Sequence, residues 1–172
     1  MGHTAASAQR VVVVAHGLEG RPDGRKPTAL RAAGLEVICP DMRGMVLAPR
    51  VELLVATVKQ HPGCVLVGSS YGGLASMAAL PALADLVHHL VLLAPALHHR
   101  EPPLTASSEL VVPARLPADV VHGCADEVVP LSVSEELVAR SPHVALRVTA
   151  DGHLLIDALP GIVERVRQIS VS

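Results

Sequence analysis

Six short apolar segments, separated by stretches of helical character, constrain the fold of this chain more than any other feature. None of them alternates apolar with polar residues, as a half-exposed strand would, so each is expected to be a strand covered on both faces of a parallel sheet. The predicted strands are residues 11–15, 36–39, 64–67, 90–93, 119–122 and 144–148, and the predicted helices are residues 28–33, 49–60, 73–86, 132–140 and 154–168.

Strands that alternate with helices form right-handed β-α-β units. The sequence therefore predicts an α/β protein with a doubly wound, mostly parallel sheet of about six strands, flanked by helices. A length of 172 residues is typical of one domain, so residues 1–172 are expected to form a single unit. Residues 95–117 are rich in proline and lack a helix or strand pattern, which makes them a candidate rim or lid segment.

Composition excludes several classes of function. The formal net charge is −2, so the chain lacks the excess of positive charge that attracts nucleic acids. There is no Phe or Trp and there is a single Tyr, which leaves no aromatic platform for stacking bases and requires an aliphatic core. We expect no nucleic-acid partner.

The cysteines and the N-terminus point to a cytoplasmic protein. Cys39, Cys64 and Cys124 are an odd set, each in or beside a predicted strand, and are expected to be reduced, buried thiols. Residues 1–10 lack a basic leader region, and the apolar run 11–15 is far too short to cross a bilayer. We therefore expect neither export nor a membrane partner, and the oligomeric state is left open.

Polar clusters follow five of the predicted strands. Because the carboxyl ends of parallel strands meet at one edge of a sheet, where ligands bind in doubly wound folds, these clusters are expected to lie close together. They are His16-Gly17, residues 41–44, Ser70, Asp126 and residues 151–153.

The sequence Gly68-Ser69-Ser70-Tyr71-Gly72 lies between the third predicted strand and a helix. A G-x-S-x-G pattern in this position is typical of a nucleophile elbow, a tight turn that projects the central serine from the sheet. Glycines are needed on either side because a Cβ there would collide with the neighbouring strand or helix. Ser70 is therefore the predicted nucleophile, and the glycine spacing excludes Ser69.

A serine nucleophile needs a base and a carboxylate that orients the base. His153, after the last strand, is the predicted base, and Asp126, after the fifth strand, is the predicted acid. Glu127 is the main alternative to Asp126, and Asp119 is a second one. The order Ser, Asp, His is the one that the α/β-hydrolase topology imposes.

Two backbone N–H groups are predicted to form an oxyanion hole. One belongs to Tyr71, the residue after the nucleophile, and the other to Leu18, in the loop that leaves the first strand. One such donor typically stabilises the transition state by about 2.7 to 4 kcal/mol. The Tyr71 side chain is equally compatible with contacting substrate and with packing in the core.

The remaining histidines are better explained without catalysis. His16 is predicted to organise its loop. The adjacent pairs His88-His89 and His98-His99 are poor chelators, because neighbouring side chains point apart in helices and strands. No metal site and no cofactor are expected.

The chain resembles the α/β-hydrolase superfamily over nearly its whole length. The resemblance rests on His16-Gly17, the D-x-R-G turn at residues 41–44, the elbow at Ser70, the G-x-x-D-x-x-V-P pattern at residues 123–130, and Gly152-His153. It is similar to the small, nearly capless esterase-like and thioesterase-like members, and lacks the extra N-terminal strands and helical cap of many others. The D-x-R-G resemblance implies that Asp41 fixes its loop, paired with Arg43.

The sequence thus predicts a serine hydrolase of small-molecule carboxylic esters or thioesters, with a shallow, open pocket. Two alternatives remain at this point. One is a non-catalytic protein of the same fold that binds a small molecule or a partner, and the other is an acyltransferase that uses the same triad.

Overall fold

The computed structural model describes residues 9–172 and contains one sheet of six strands, all parallel, in the order β2-β1-β3-β4-β5-β6. The strands are β1 (Val12–Ala15), β2 (Val37–Ile38), β3 (Cys64–Ser69), β4 (Val87–Leu93), β5 (Ala118–Gly123) and β6 (Ala145–Thr149). The helices are α1 (Arg25–Ala32), α2 (Leu47–Gln60), α3 (Tyr71–Leu83), α4 (Leu131–Arg140) and α5 (Leu159–Ser170). The predicted fold class is confirmed. Residues 1–8, on which most of the expectation about a leader rested, lie outside the described residues.

Helices cover both faces of the sheet. Within β1, Val13 belongs to the apolar core on the face covered by α2, α3 and α4, whereas Val12 belongs to the core shared with α1 and α5. Successive strand residues point to opposite faces, and both faces are covered, so the strand needs apolar side chains at every position. This arrangement explains the unbroken apolar runs in the sequence.

The edge strand β6 departs from that pattern. Residues 145, 147 and 148 are exposed, although all six strands were expected to be covered on both faces. The reason is its place in the sheet, because β6 pairs only with β5 and has no strand on its other side.

Two element boundaries also differ from the prediction. The fourth strand starts at Val87 rather than at residue 90. It includes the buried His89, whose Nε2 is paired with Asp119 at 3.0 Å, so that its polar ring fits a buried strand. The last helix starts at Leu159 rather than at residue 154. Residues 154–158 form a turn in which Leu155 has a positive φ of 54°, a conformation that a helix cannot contain.

The cysteines are only partly as expected. Cys64 is buried, Cys39 is half-buried, and burial raises the pKa of each thiol to about 11. Cys124 is exposed, which makes the prediction of a buried thiol wrong at that position. It follows the last residue of β5, where the chain turns out of the sheet. Among residues 9–172, no helix is both long enough and apolar enough to cross a bilayer.

Segment 95–117 is joined to the core through four buried side chains, Leu97, Leu110, Val112 and Leu116. Its first residues directly follow β4 at the carboxyl edge of the sheet. The segment therefore places its early residues beside the elbow. Its later residues Leu110, Val112 and Leu116 pack in the apolar core on the face covered by α2, α3 and α4.

The end of β5 makes a contact that only glycine allows. A Cβ on Gly123 would overlap the carbonyl group of Asp151, which belongs to the backbone leaving β6. We expect Gly123→Ala to destabilise the fold by about 1–3 kcal/mol, the usual range for overpacking. Gly152→Ala is the matched control, since its Cβ would have only an ordinary contact at 3.6 Å with Ala125. Urea denaturation would measure both, and equal midpoints would contradict this packing argument.

Candidate active site

Ser70 occupies a sharp turn between β3 and α3, with φ 53° and ψ −118°. Its N–H donates to the Leu93 carbonyl at 2.9 Å, and its carbonyl accepts from the N–H groups of Gly73 at 2.9 Å and Ala96 at 3.0 Å. A non-glycine residue in such a conformation costs about 1–3 kcal/mol, and it persists only when the surroundings hold it. These hydrogen bonds supply that restraint.

The glycines around Ser70 have the steric role that the sequence predicts. A Cβ on Gly72 would overlap the Ala15 carbonyl at the end of β1. A Cβ on Gly68 would lie 2.6 Å from Ser76 Oγ, and one on Gly73 would lie 2.8 Å from Pro95 Cβ. The elbow is thus packed against a neighbouring strand, its own helix and the segment after β4.

Ser70, His153 and Asp126 lie together at the carboxyl edge of the sheet. His153 Nε2 is 2.9 Å from Ser70 Oγ, and His153 Nδ1 is 2.7 Å from Asp126 Oδ2. A carboxylate can only accept, so Nδ1 carries the proton that is donated to Asp126, which leaves Nε2 as the acceptor for the serine hydroxyl. This is the tautomer that a general base needs.

The Asp126 side chain is fully buried, with 0% exposure. Its Oδ1 accepts from the N–H groups of Val128 and Val129, both at 2.8 Å. Burial by itself would raise the pKa of this carboxyl, but the hydrogen bonds from Val129, His153 and Val128 outweigh burial and hold the pKa below its usual value. Asp126 is therefore ionised at neutral pH.

The alternative acids are placed elsewhere. Glu127 is exposed, and among the described residues the carboxylate bonded to His153 is that of Asp126. Asp119 lies near the start of β5, at the opposite edge of the sheet, where it binds His89 and Arg165.

Beneath Asp126 lies His122, which the sequence did not single out. It is fully buried, with Nε2 3.3 Å from Asp126 Oδ2 and 2.9 Å from the Val129 carbonyl. Its Nδ1 is 2.7 Å from Ser134 Oγ. This imidazole packs the Asp126 carboxylate against the end of β5.

The two predicted oxyanion donors are on the segments that adjoin Ser70. Tyr71 directly follows the serine, and a Cβ on Gly17 would lie 3.4 Å from Ser70 Cβ, which places the Leu18 loop beside the serine. Within residues 9–172, neither the Tyr71 N–H nor the Leu18 N–H donates to a protein acceptor. Both are available to a ligand.

A buried guanidinium connects these two segments. Arg50 on α2 is 0% exposed, and its Nη1 donates to the His16 carbonyl at 2.8 Å. Its Cζ lies 4.8 Å from the centroid of the Tyr71 ring, a cation-π distance. Burial lowers the pKa of this guanidinium, although the nearby Tyr71 and Glu101 oppose that effect.

The Tyr71 side chain is 7% exposed and its hydroxyl is hydrogen-bonded to Glu101, in segment 95–117. Burial, followed by the effect of Glu101, raises the pKa of the phenol to about 12. Tyr71 is also among the residues that line the cavity in front of Ser70. Tyr71 thus packs against the elbow and contributes to the cavity.

His16 and the pair Asp41 and Arg43 organise their loops, as expected from the sequence. His16 Nε2 accepts from the Met42 N–H at 3.0 Å, which ties the first loop to the turn at residues 41–44. Asp41 and Arg43 form an exposed ion pair at 2.6 Å that stays within that turn. The side-chain and backbone hydrogen bonds from Arg43 lower the pKa of Asp41 to about 2.

A cavity of about 830 Å³ opens in front of Ser70 and His153. This volume is within the range of small-molecule sites. Three exposed apolar side chains, Leu18, Val128 and Leu154, stand at its mouth, and His98 and His99 from segment 95–117 form part of its wall. Neither histidine pair belongs to a group of metal-ligating side chains within residues 9–172.

Comparisons with known proteins were made at the level of sequence and of structure. No family model matches the chain, and no curated protein matches its sequence. Solved structures do match. Est1E from Butyrivibrio proteoclasticus has a TM-score of 0.77 at 19% identity, with 96% of this chain and 88% of that chain covered.

Two further structures agree with the first. The esterase RhEst1 from Rhodococcus sp. has a TM-score of 0.74 at 19% identity, with 96% and 92% of the two chains covered. A monoacylglycerol lipase from Paleococcus ferrophilus has a TM-score of 0.72 at 16% identity, with 93% and 95% covered. The chain therefore has the α/β-hydrolase fold, in a form with six strands and five helices among its described residues.

Asp151 holds the turn that carries His153. Its two carboxylate oxygens accept from the N–H groups of Asp157 and Ala158, each at 2.9 Å, and so hold the turn that precedes α5. We expect Asp151→Ala to lower the free energy of unfolding by about 1–3 kcal/mol, because these N–H groups lose their acceptor. Asp157→Ala is the control, because that side chain is exposed. Equal urea midpoints for the two variants would show that these hydrogen bonds do not stabilise the fold.

Proposed function

We propose that this protein is a serine hydrolase that cleaves carboxylic esters or thioesters. The observation that carries the proposal is the continuous hydrogen-bonded chain from Ser70 through His153 to Asp126 at the edge of a cavity of about 830 Å³. A serine hydroxyl bonded to a neutral imidazole, itself fixed by a buried carboxylate, is the arrangement that acyl transfer requires.

In the proposed reaction, Ser70 Oγ attacks the acyl carbon while His153 Nε2 takes the hydroxyl proton. Asp126 stabilises the imidazolium, and the N–H groups of Leu18 and Tyr71 donate to the oxygen that becomes negative. His153 then gives its proton to the departing alcohol or thiol, which leaves an acyl group on Ser70. Water, deprotonated by His153, then attacks the acyl carbon. The bond from that carbon to Ser70 Oγ breaks, and His153 returns the proton to Oγ, which releases the acid and restores the serine.

Arg50 has a positioning role in this proposal. It bonds the carbonyl of His16, two residues before Leu18, and lies against the ring of Tyr71, so it fixes the two donor segments relative to each other. Its buried positive charge also favours a negative charge at the elbow, because screening is weak in a desolvated site.

The domain organisation belongs to the same proposal. A single sheet carries every residue of the proposed triad, and the early residues of segment 95–117 form one side of the cavity. We propose one catalytic domain, residues 1–172, in which this segment is a rim of the substrate site.

Labelling by a fluorophosphonate probe tests the nucleophile. We expect the protein to be labelled at Ser70, and Ser70→Ala to remove the label, because the probe reacts only with an activated serine. Ser69→Ala is the matched control and should still be labelled. A protein that takes up no label would be a non-catalytic binding protein, and labelling that survives Ser70→Ala would place the nucleophile elsewhere. Adding alcohol or amine acceptors to the assay would identify an acyltransferase by its transfer product.

The variant Arg50→Met tests whether Arg50 positions the two donor segments or stabilises the fold. We expect kcat for a nitrophenyl ester to fall by at least about tenfold with KM nearly unchanged. This loss is smaller than the loss that follows removal of an oxyanion donor, because Arg50 only positions the donors. The unfolding midpoint should hold or rise, because Met replaces a buried guanidinium that bonds two carbonyls and forms no ion pair within residues 9–172. Arg43→Met, in an exposed ion pair, should leave kcat unchanged. Unchanged kcat in Arg50→Met would refute the role.

A further inference from the structure

One wall of the cavity carries an excess of positive charge. The charged side chains that line it are Glu19, Arg21, Asp23, Arg25 and Lys26. Arg21 and Asp23 pair with each other at 3.1 Å and are both well exposed. Three cations face two carboxylates on this wall, so one positive charge is unmatched.

Lys26 is the least solvated of these cations. It is half-buried, and its Nζ donates to the Leu154 carbonyl at 3.1 Å. Among residues 9–172, no carboxylate lies within 4.0 Å of this ammonium group, and two of its three N–H groups have no protein acceptor. Burial, with a smaller effect of Arg25, lowers its pKa. A half-buried cation without a counter-ion is stabilised by a ligand that supplies the opposite charge.

The position of Lys26 relates this charge to the reacting centre. Leu154 directly follows His153, so the ammonium group is bonded to the backbone one residue beyond the proposed base. The same cavity contains Ser70 and the apolar side chains of Leu18 and Val128. A substrate there would meet apolar surface near the mouth and a cation beside the catalytic histidine.

We propose that the substrate is an ester or thioester that carries a carboxylate group, and that Lys26 binds this carboxylate. The inference rests on the proposed function and adds its substrate class. A single carboxylate matches the single unmatched charge of the wall, and Arg25, the neighbouring exposed cation, supports it electrostatically. Neutral esters of the same length lack this contact.

A structural role is the competing explanation, because Lys26 also braces the backbone next to His153. The two roles differ in their effect on different substrates. A brace would affect every ester equally, whereas a carboxylate site affects only the charged one.

The test compares mono-4-nitrophenyl glutarate with 4-nitrophenyl pentanoate, which replaces the free carboxylate by a methyl group. We expect kcat/KM to be at least about tenfold higher for the glutarate ester, as a charge-assisted contact implies. Lys26→Gln should remove this preference, so that kcat/KM falls more for the glutarate ester than for the pentanoate ester, while Lys26→Arg should retain the preference. Lys59→Gln, which alters an exposed lysine at the end of α2, is the matched control.

Equal loss for both esters in Lys26→Gln, or a wild-type protein without preference, would overturn the inference. A second readout does not depend on turnover: free glutarate should slow fluorophosphonate labelling of the wild type more than pentanoate does, and Lys26→Gln should abolish that difference. Labelling without this protection would refute the carboxylate site alone, whereas absence of labelling would refute the proposed function itself.

Discussion

The close approach of the elbow to the end of β1 is the constraint on which the rest of the site depends. Gly72 lies so near the Ala15 carbonyl that no Cβ fits between them, and Gly68 and Gly73 are similarly enclosed. This packing holds Ser70 at a positive φ and brings the start of α3 beside the loop that leaves β1. The serine, the Tyr71 N–H and the Leu18 loop are neighbours only because three glycines let the backbone segments approach.

Arg50 shows how the fold accommodates an unfavourable group at the same place. Its guanidinium is fully buried, bonds the carbonyls of His16 and Met45, and retains one Nη2 group without an acceptor among the described residues. Such a group is weak evidence for stability, because desolvation opposes the attraction between charges. Its contacts instead relate α2 to the two segments that flank Ser70, and in the proposed mechanism these segments carry the oxyanion donors.

The sequence correctly predicts the features of the molecule that local sequence patterns determine. Apolar runs located all six strands, and the residues after each strand brought Ser70, Asp126 and His153 into one prediction. It did not identify Arg50, His122 or Lys26, because their roles arise from contacts between segments that are separated in the sequence. The start of α5 was predicted too early for a related reason, because residues 154–158 are held in a turn by hydrogen bonds to Asp151 that no local sequence pattern indicates.

The single tyrosine gives this protein an unusual optical property. With no Trp and no Phe in the chain, Tyr71 is the only aromatic chromophore apart from the histidine imidazoles, and it directly follows Ser70. Its phenol is bonded to Glu101 and its ring lies against Arg50. Absorbance near 280 nm will be weak, and intrinsic fluorescence will come from one position. Any change in tyrosine emission will therefore report on the elbow itself, with no background from the rest of the fold.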